Sequence, residues 1–275
     1  MNPQAPRPTL RLLALVIALA VLPGCAGTPD KKEEPQETAA EMYRRARLSL
    51  ESGSYEFAIT ELRRVQARYP FDPYAIQAHL DLIYVHYLKR DAEAAVDEAD
   101  RFIRENPRHP NVAYAYYMKG LAYFEPEVSF VTRWYGVNPA GREPTNAHKS
   151  FQNFKLLVET FPDSEYAEDA RQRMVFLYNR LAEYEYLVAD YYLRRGAYVA
   201  AVNRAKYLVE NFPRAASVPP ALEIMTHAYR RMGLEGLADQ AAATLRASFP
   251  DYLPRRNLDE EEQGGLLGWF RRLFD

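Results

Sequence analysis

Five prolines set the period of this chain. Tyr69-Pro70, Asn106-Pro107, Phe161-Pro162, Phe212-Pro213 and Phe249-Pro250 each follow a small residue twelve positions before the proline: Ala58, Ala95, Ser150, Ala201 and Ala238. Four residues after each small residue stands Leu62, Ala99, Phe154, Ala205 or Ala242, and seven after it Val65, Phe102, Leu157, Leu208 or Leu245. Offsets of four and seven share one helix face. The small residue lets a neighbouring helix approach closely, and the proline, lacking an N–H, stops the helix just past its end. Gly53, Gly196 and Gly233 precede three of these helices at the point where a helix pair must turn, and Ser54 and Asp91 are candidate N-caps. After each of the first four prolines a further helix is predicted, with Tyr84, Tyr123, Tyr178 or Tyr229 near its far end.

The order of small residue, large residue and proline resembles the second helix of a tetratricopeptide repeat, although the Trp and Gly-Tyr signature of its first helix is poorly kept. The fold expected is all-α: an α-solenoid of five divergent helix-turn-helix repeats, each packing mainly on its neighbours. Two intervals are long. Between Pro107 and Pro162 the surplus falls on 124–146, which holds three prolines, Trp134 and Tyr135 and reads as a long loop. Between Pro162 and Pro213 no helix breaker occurs from Ser164 to Arg195. That surplus predicts one helix of roughly 30 residues, ~45 Å long.

The N-terminus carries a second message. Arg7 and Arg11 precede an unbroken apolar run from Leu12 to Leu22. The run is shorter than the roughly 20 residues that cross a bilayer, and with its basic start it reads as a secretory signal. Leu22-Pro23-Gly24-Cys25 then resembles the lipobox of bacterial lipoproteins, with Pro23 departing from the usual pattern. That resemblance implies cleavage before Cys25 and a covalent lipid on it, with no other cofactor. Residues 1–24 are thus read as signal, 25–38 as a lipidated tether, 39–253 as solenoid and 254–275 as a tail. The tail ends in a short amphipathic segment, GGLLGWFRRLFD. Cys25 is the only cysteine, so no intrachain disulfide forms and stability must come from packing. With the signal removed the chain is modestly acidic, which excludes a nucleic-acid footprint.

Catalytic patterns are missing. The sequence has no phosphate-binding Gly-Lys-Ser loop, no Gly-x-Ser-x-Gly elbow and no His-Glu-x-x-His. His79 and His86 share a face but lack a third ligand, and no metal is expected. Glu183 and Glu185 read as solvated surface, and the tyrosines of 184–192 as core and inter-repeat packing.

Longer stretches carry a specific resemblance. RYPFDPY (68–74), LDLIYVHY (80–87), FIRENPRHPN (102–111), YGVNPAGREPTNA (135–147) and RLAEYEYLVADYYLRRGAYVAAVNR (180–204) resemble the BamD family. These are lipoprotein subunits of the bacterial outer-membrane β-barrel assembly machine. The resemblance implies a non-catalytic scaffold, lipid-anchored in the outer membrane and facing the periplasm. Its implied partners are a POTRA domain of the barrel subunit BamA, other lipoproteins of the machine and unfolded outer-membrane substrates. Carried over by motif, Arg204, with Arg195 and Gly196 beside it at the helix junction, belongs to the BamA side. Tyr69, with Phe71 and Tyr74, belongs to the substrate side. Two plainer readings stand next to these: Arg204 bonded within its own repeat, and Tyr69 packed before its proline. Two other functions share the pattern less well, a different periplasmic adaptor lipoprotein of envelope synthesis or division, and an enzyme using the repeats as a substrate arm.

Overall fold

A computed structural model describes residues 37–124 and 143–254. Cys25, most of the 124–146 segment and the 264–275 tail lie outside the described residues. Among those described there are ten α-helices and no strand. They form five pairs: α1 (Ala39–Glu51) with α2 (Tyr55–Arg68), α3 (Pro73–Leu88) with α4 (Ala92–Glu105), α5 (Val112–Tyr123) with α6 (Thr145–Thr160), α7 (Ala167–Arg194) with α8 (Tyr198–Asn211), and α9 (Val218–Arg231) with α10 (Glu235–Ser248). Each helix packs on the next in sequence, and α1 also meets α3, α3 meets α5, and α7 meets α9. This is the expected solenoid. The surplus before Pro213 is helical, as α7 runs unbroken for 28 residues. The segment expected as a loop ends slightly early, since Thr145 already opens α6.

The repeat marks work as their spacing implies. All five small residues are fully buried, as are four of the five residues seven positions on. At each end the residue before proline leaves the helix with φ between −139° and −128° and ψ between 51° and 63°. Proline disfavours the α region for the residue before it. The N–H of that residue still bonds to the carbonyl of the seventh-position residue, Val65, Phe102, Leu157, Leu208 or Leu245, at 2.7–2.9 Å. Its own carbonyl then accepts from the residue three further on, Asp72, His109, Ser164, Ala215 or Tyr252. One stop and one turn are thus used five times.

The turns inside the pairs share a different device. Gly53, Gly196 and Gly233 take φ values of 77°, 71° and 72°, and Arg90 occupies the same place at 59°. In all four the following N–H bonds five residues back: Ser54 to Ser49, Asp91 to His86, Ala197 to Tyr192 and Leu234 to Tyr229. This is the Schellman closure of a helix, which favours glycine because a Cβ strains the left-handed region. Of the two candidate caps, Asp91 accepts from the Ala94 N–H at 3.2 Å. Ser54 makes no side-chain cap bond and instead accepts from the Ser52 hydroxyl, so the glycine turn alone ends that helix pair's first member.

The junction of α5 and α6 leaves no room for a side chain at Gly120. A Cβ on Gly120 would sit 2.4 Å from the Phe154 ring, and the Ser150 hydroxyl donates to the Gly120 carbonyl at 2.8 Å. At the far end the stacking surface changes character. Residues one and eight positions past the small residue are Ile59/Gln66, Val96/Ile103, Phe151/Val158 and Val202/Val209 in the first four repeats, but Asp239/Arg246 in the last. Both of those are exposed. Such a polar outer face is how a terminal repeat ends a solenoid.

Arg90 is the one non-glycine left-handed residue among those described. Replacing it by glycine should raise the unfolding free energy by about 1 kcal/mol, the typical cost of that conformation for an L-residue. Gly196→Ala should lower it by a similar amount; urea titrations of the two variants against the parent measure both.

Candidate binding surfaces

One position recurs within the repeats and decides where Arg204 sits. Eleven residues before the left-handed turn residue on the first helix, and three after the small residue on the second, two side chains belong to the same joint. The pairs are Met42/Glu61, His79/Glu98, Glu185/Arg204 and Leu222/Ala241, each 19 residues apart. The last is apolar. In the second repeat His79 Nε2 lies 3.5 Å from Glu98 Oε2 and 3.1 Å from the Glu98 carbonyl. In the fourth, Arg204 Nη1 donates to Glu185 Oε2 at 3.1 Å. The Arg204 side chain is 47% exposed and that of Glu185 10%. Arg204 is therefore held at one end by its own repeat and open to solvent at the other.

This corrects the reading of Glu183 and Glu185 as solvated surface. Glu185 is buried in the α7–α8 joint, and Glu183 accepts a short hydrogen bond from the Ser217 hydroxyl at the entry to α9. One acid ties the long helix to α8 and the other ties it to α9. The signal was present in the spacing of Glu185 from Arg204, which matches that of His79 from Glu98. Arg195 and Gly196 lie apart from this pair, at the end of α7. The Arg195 guanidinium sits 5.0 Å from the centre of the Tyr191 ring, a cation–π contact. Tyr191 and Val199, on either side of the turn, are exposed apolar residues. Tyr186 and Tyr192 pack against the C-terminal core, as expected of the tyrosine-rich stretch.

The substrate-side residues separate. Tyr69 packs against the first core cluster and supplies the backbone turn before Pro70. Phe71 is fully exposed at 100%. Tyr74 lines a cavity of about 380 Å³ with Ala40, Glu41, Tyr43, Arg44 and Arg47. Asp72 fixes the start of α3 by accepting from the Tyr74 N–H at 2.9 Å, which sets the Tyr74 ring 5.2 Å from that of Tyr43. Tyr43 donates to Asp81 Oδ2 at 2.8 Å and Arg47 to Oδ1 at 3.1 Å. Burial pushes the Tyr43 phenol and the Asp81 carboxyl above their ordinary values. Arg47 is thereby committed, whereas Arg44 has no ion-pair partner among the described residues. Tyr43, Arg44 and Arg47 were not singled out by sequence reasoning. They sit on α1, which no proline marks.

No cluster of His, Cys, Asp or Glu among the described residues is arranged to hold a metal. No described helix is long and apolar enough to cross a membrane.

The helical array thus carries a polar-tipped aromatic cavity in its first repeats and a half-held arginine in its fourth. A family model described as YfiO, outer membrane lipoprotein, matches residues 35–245. The chain belongs to the YfiO family of outer membrane lipoproteins. Outer membrane protein assembly factor BamD of Vibrio cholerae is 37% identical over 222 residues, covering 81% of this chain and 91% of that protein. Its namesake in Xylella fastidiosa strain 9a5c is 34% identical over 251 residues, covering 90% and 86%. A tetratricopeptide repeat protein from Parabacteroides merdae matches over 82% of this chain and 69% of its own, with 16% identity and a TM-score of 0.36. YfiO-family membership places the chain among non-catalytic assembly factors associated with the outer membrane.

The Glu185–Arg204 pair makes a separable contribution to folding. A double-mutant cycle with Glu185→Gln and Arg204→Gln should give a coupling of about 1 kcal/mol in urea unfolding, typical of a partly buried charge-assisted bond. A coupling near zero would show that the pair is not formed in solution.

Proposed function

We propose that this chain is a lipoprotein scaffold of β-barrel assembly, held to the outer membrane by a lipid on Cys25 and facing the periplasm. Its fourth repeat, through Arg204 on α8 and through Arg195 and Gly196 at the end of α7, docks a POTRA domain of a BamA-type subunit. Its first repeat receives an extended segment of an unfolded outer-membrane protein. Further lipoproteins of the machine bind elsewhere on the same solenoid. The two BamD relatives named above, both outer membrane protein assembly factors, favour this reading over a different envelope adaptor.

The observation that carries the substrate half is the cavity at Tyr74. Two aromatic rings form apolar walls, and Arg44 stands at the lining, which it shares with Glu41, without an ion-pair partner among the described residues. Aromatic faces suit an apolar side chain, and a guanidinium suits a carboxylate. The chemistry matches a peptide ending in an aromatic residue and its free carboxyl group. Phe71, fully exposed beside the cavity's helix, offers a further apolar contact, while Tyr69 holds the turn that presents both.

Tagged protein purified from membranes in mild detergent should bring down a BamA-like barrel subunit, and its absence would overturn the assignment. Arg204→Glu should reduce that recovery at least tenfold while circular dichroism stays unchanged; equal recovery would remove Arg204 from the interface. For the cavity, Arg44→Glu and Tyr74→Ala should each weaken binding of an aromatic-ended peptide about tenfold, as should amidation of the peptide's C-terminus. Mass spectrometry of the mature N-terminus should find diacylglycerol on Cys25, and cleavage elsewhere would end the anchor reading.

A further inference from the structure

The second repeat buries a polar side chain that nothing satisfies. His86 lies on α3, seven residues after His79, and both are buried. Neither ring nitrogen of His86 has a hydrogen-bond partner. Four charged groups face it: Arg63 from α2, Lys89 from the end of α3, Asp91 from the turn and Glu98 from α4. Both acids are already engaged. Glu98 accepts from Arg63 at 3.3 Å, forms a short bond with Arg101 and lies 3.5 Å from His79. Asp91 caps α4 through the Ala94 N–H. The two cations have little to spare, since Lys89 is bonded to Glu56 and Arg63 to Glu98.

Other repeats place different chemistry here. Four residues before the left-handed turn residue stand Ser49, His86, Tyr192 and Tyr229. The joint pair itself is His79/Glu98 in the second repeat and Glu185/Arg204 in the fourth. The second repeat is therefore the one that carries histidines at both of these joint positions. A buried polar group left unpaired in a native fold calls for an explanation.

We propose that the α3–α4 pair is an acid-responsive joint, in which proton uptake at His86 opens the packing of α3 on α4 and uncouples the first repeat from the third to fifth. Solenoid repeats hold together only through neighbours, so loosening the second releases the first from the rest. In the closed joint His86 is neutral, because a proton would add a buried cation beside Arg63 and Lys89 with no acid free to receive it. Burial accordingly holds its imidazole below the ordinary value.

The sign is set by linkage. The open joint takes up a proton with the ordinary affinity, near pH 6.5, while the closed joint resists it. Closure is therefore fully favoured above about pH 6.5 and weakens as pH falls. At pH 5.5 the opening equilibrium rises by up to about tenfold. Glu98 does not contribute in this window. Its pairing holds its carboxyl at about 2, so its stabilisation is lost only as pH falls below the ordinary carboxylate range.

Hydrogen exchange on the full chain at pH 7.5 and 5.5, corrected for intrinsic rates, tests the joint. Amides of α3 and α4 should lose protection about tenfold at the lower pH and regain it on return, while those of α7 to α10 hold constant. His86→Tyr, which installs the residue of the fourth and fifth repeats, and His86→Leu should each abolish the difference. Unchanged protection in the parent protein would overturn the proposal. So would the same acid-induced loss in either variant.

Discussion

One backbone bond governs how this chain stacks. At the end of every second helix the N–H before proline reaches back to the carbonyl of the large residue seven positions after the small one. Proline closes off the α region for its predecessor, and the bond keeps that predecessor attached to the helix. Together they leave one exit direction, and the carbonyl of the same residue starts the turn into the next helix. Had the exit varied among repeats, the buried faces of successive pairs would not have met. Each large side chain buried there is worth roughly 1.5–3 kcal/mol relative to exposure. Without the fixed exit that gain would not offset the entropy of ordering five separate pairs.

Within that constant frame one joint varies, and its variation tracks position along the solenoid. The last repeat fills it with Leu222 and Ala241. The first places Glu61 there, held by Arg45 and Arg64. The second uses His79 and Glu98, the fourth Glu185 and Arg204. In the early repeats the acid belongs to the second helix and its arginine partners are more exposed than it is. In the fourth repeat the polarity is reversed, so the cation is the outward member. Buried ion pairs contribute little net stability compared with apolar packing. Their distribution is better understood as setting which charge each repeat presents at its surface.

Most of the fold was legible from spacing. The five prolines, their small residues and three glycines marked the helix pairs, and the absence of a breaker announced α7 at nearly its observed length. What escaped depended on tertiary contacts. Arg90 adopts a glycine conformation without being glycine, because the Schellman bond and the packing of α3 against α4 enforce it. Glu185 looked like surface because helix periodicity around it is filled with tyrosines, and only the position of α8 buries it. On the candidate sites the sequence was weaker. Tyr74 was named, but its companions Tyr43, Arg44 and Arg47 lie on a helix with no proline, and they meet it only once α1 packs on α3. Tyr69 and Phe71 fall on one turn, yet one packs inward and the other points to solvent.

Arg204 shows why two readings of one residue need not compete. It bonds within its own repeat, and its sequence context resembles a partner-facing position. A guanidinium has five N–H groups arranged as a rigid fork. Glu185 is reached by Nη1, and nearly half of the side chain remains open to solvent. An arginine tethered in this way has already lost much of its rotamer freedom before any partner arrives. Binding then orders less of the side chain, and the cost of forming a second charge-assisted bond falls accordingly. The buried carboxylate thus acts as a positioning group for the exposed half of the arginine. The same joint that closes the fourth repeat is what would aim its charge outward.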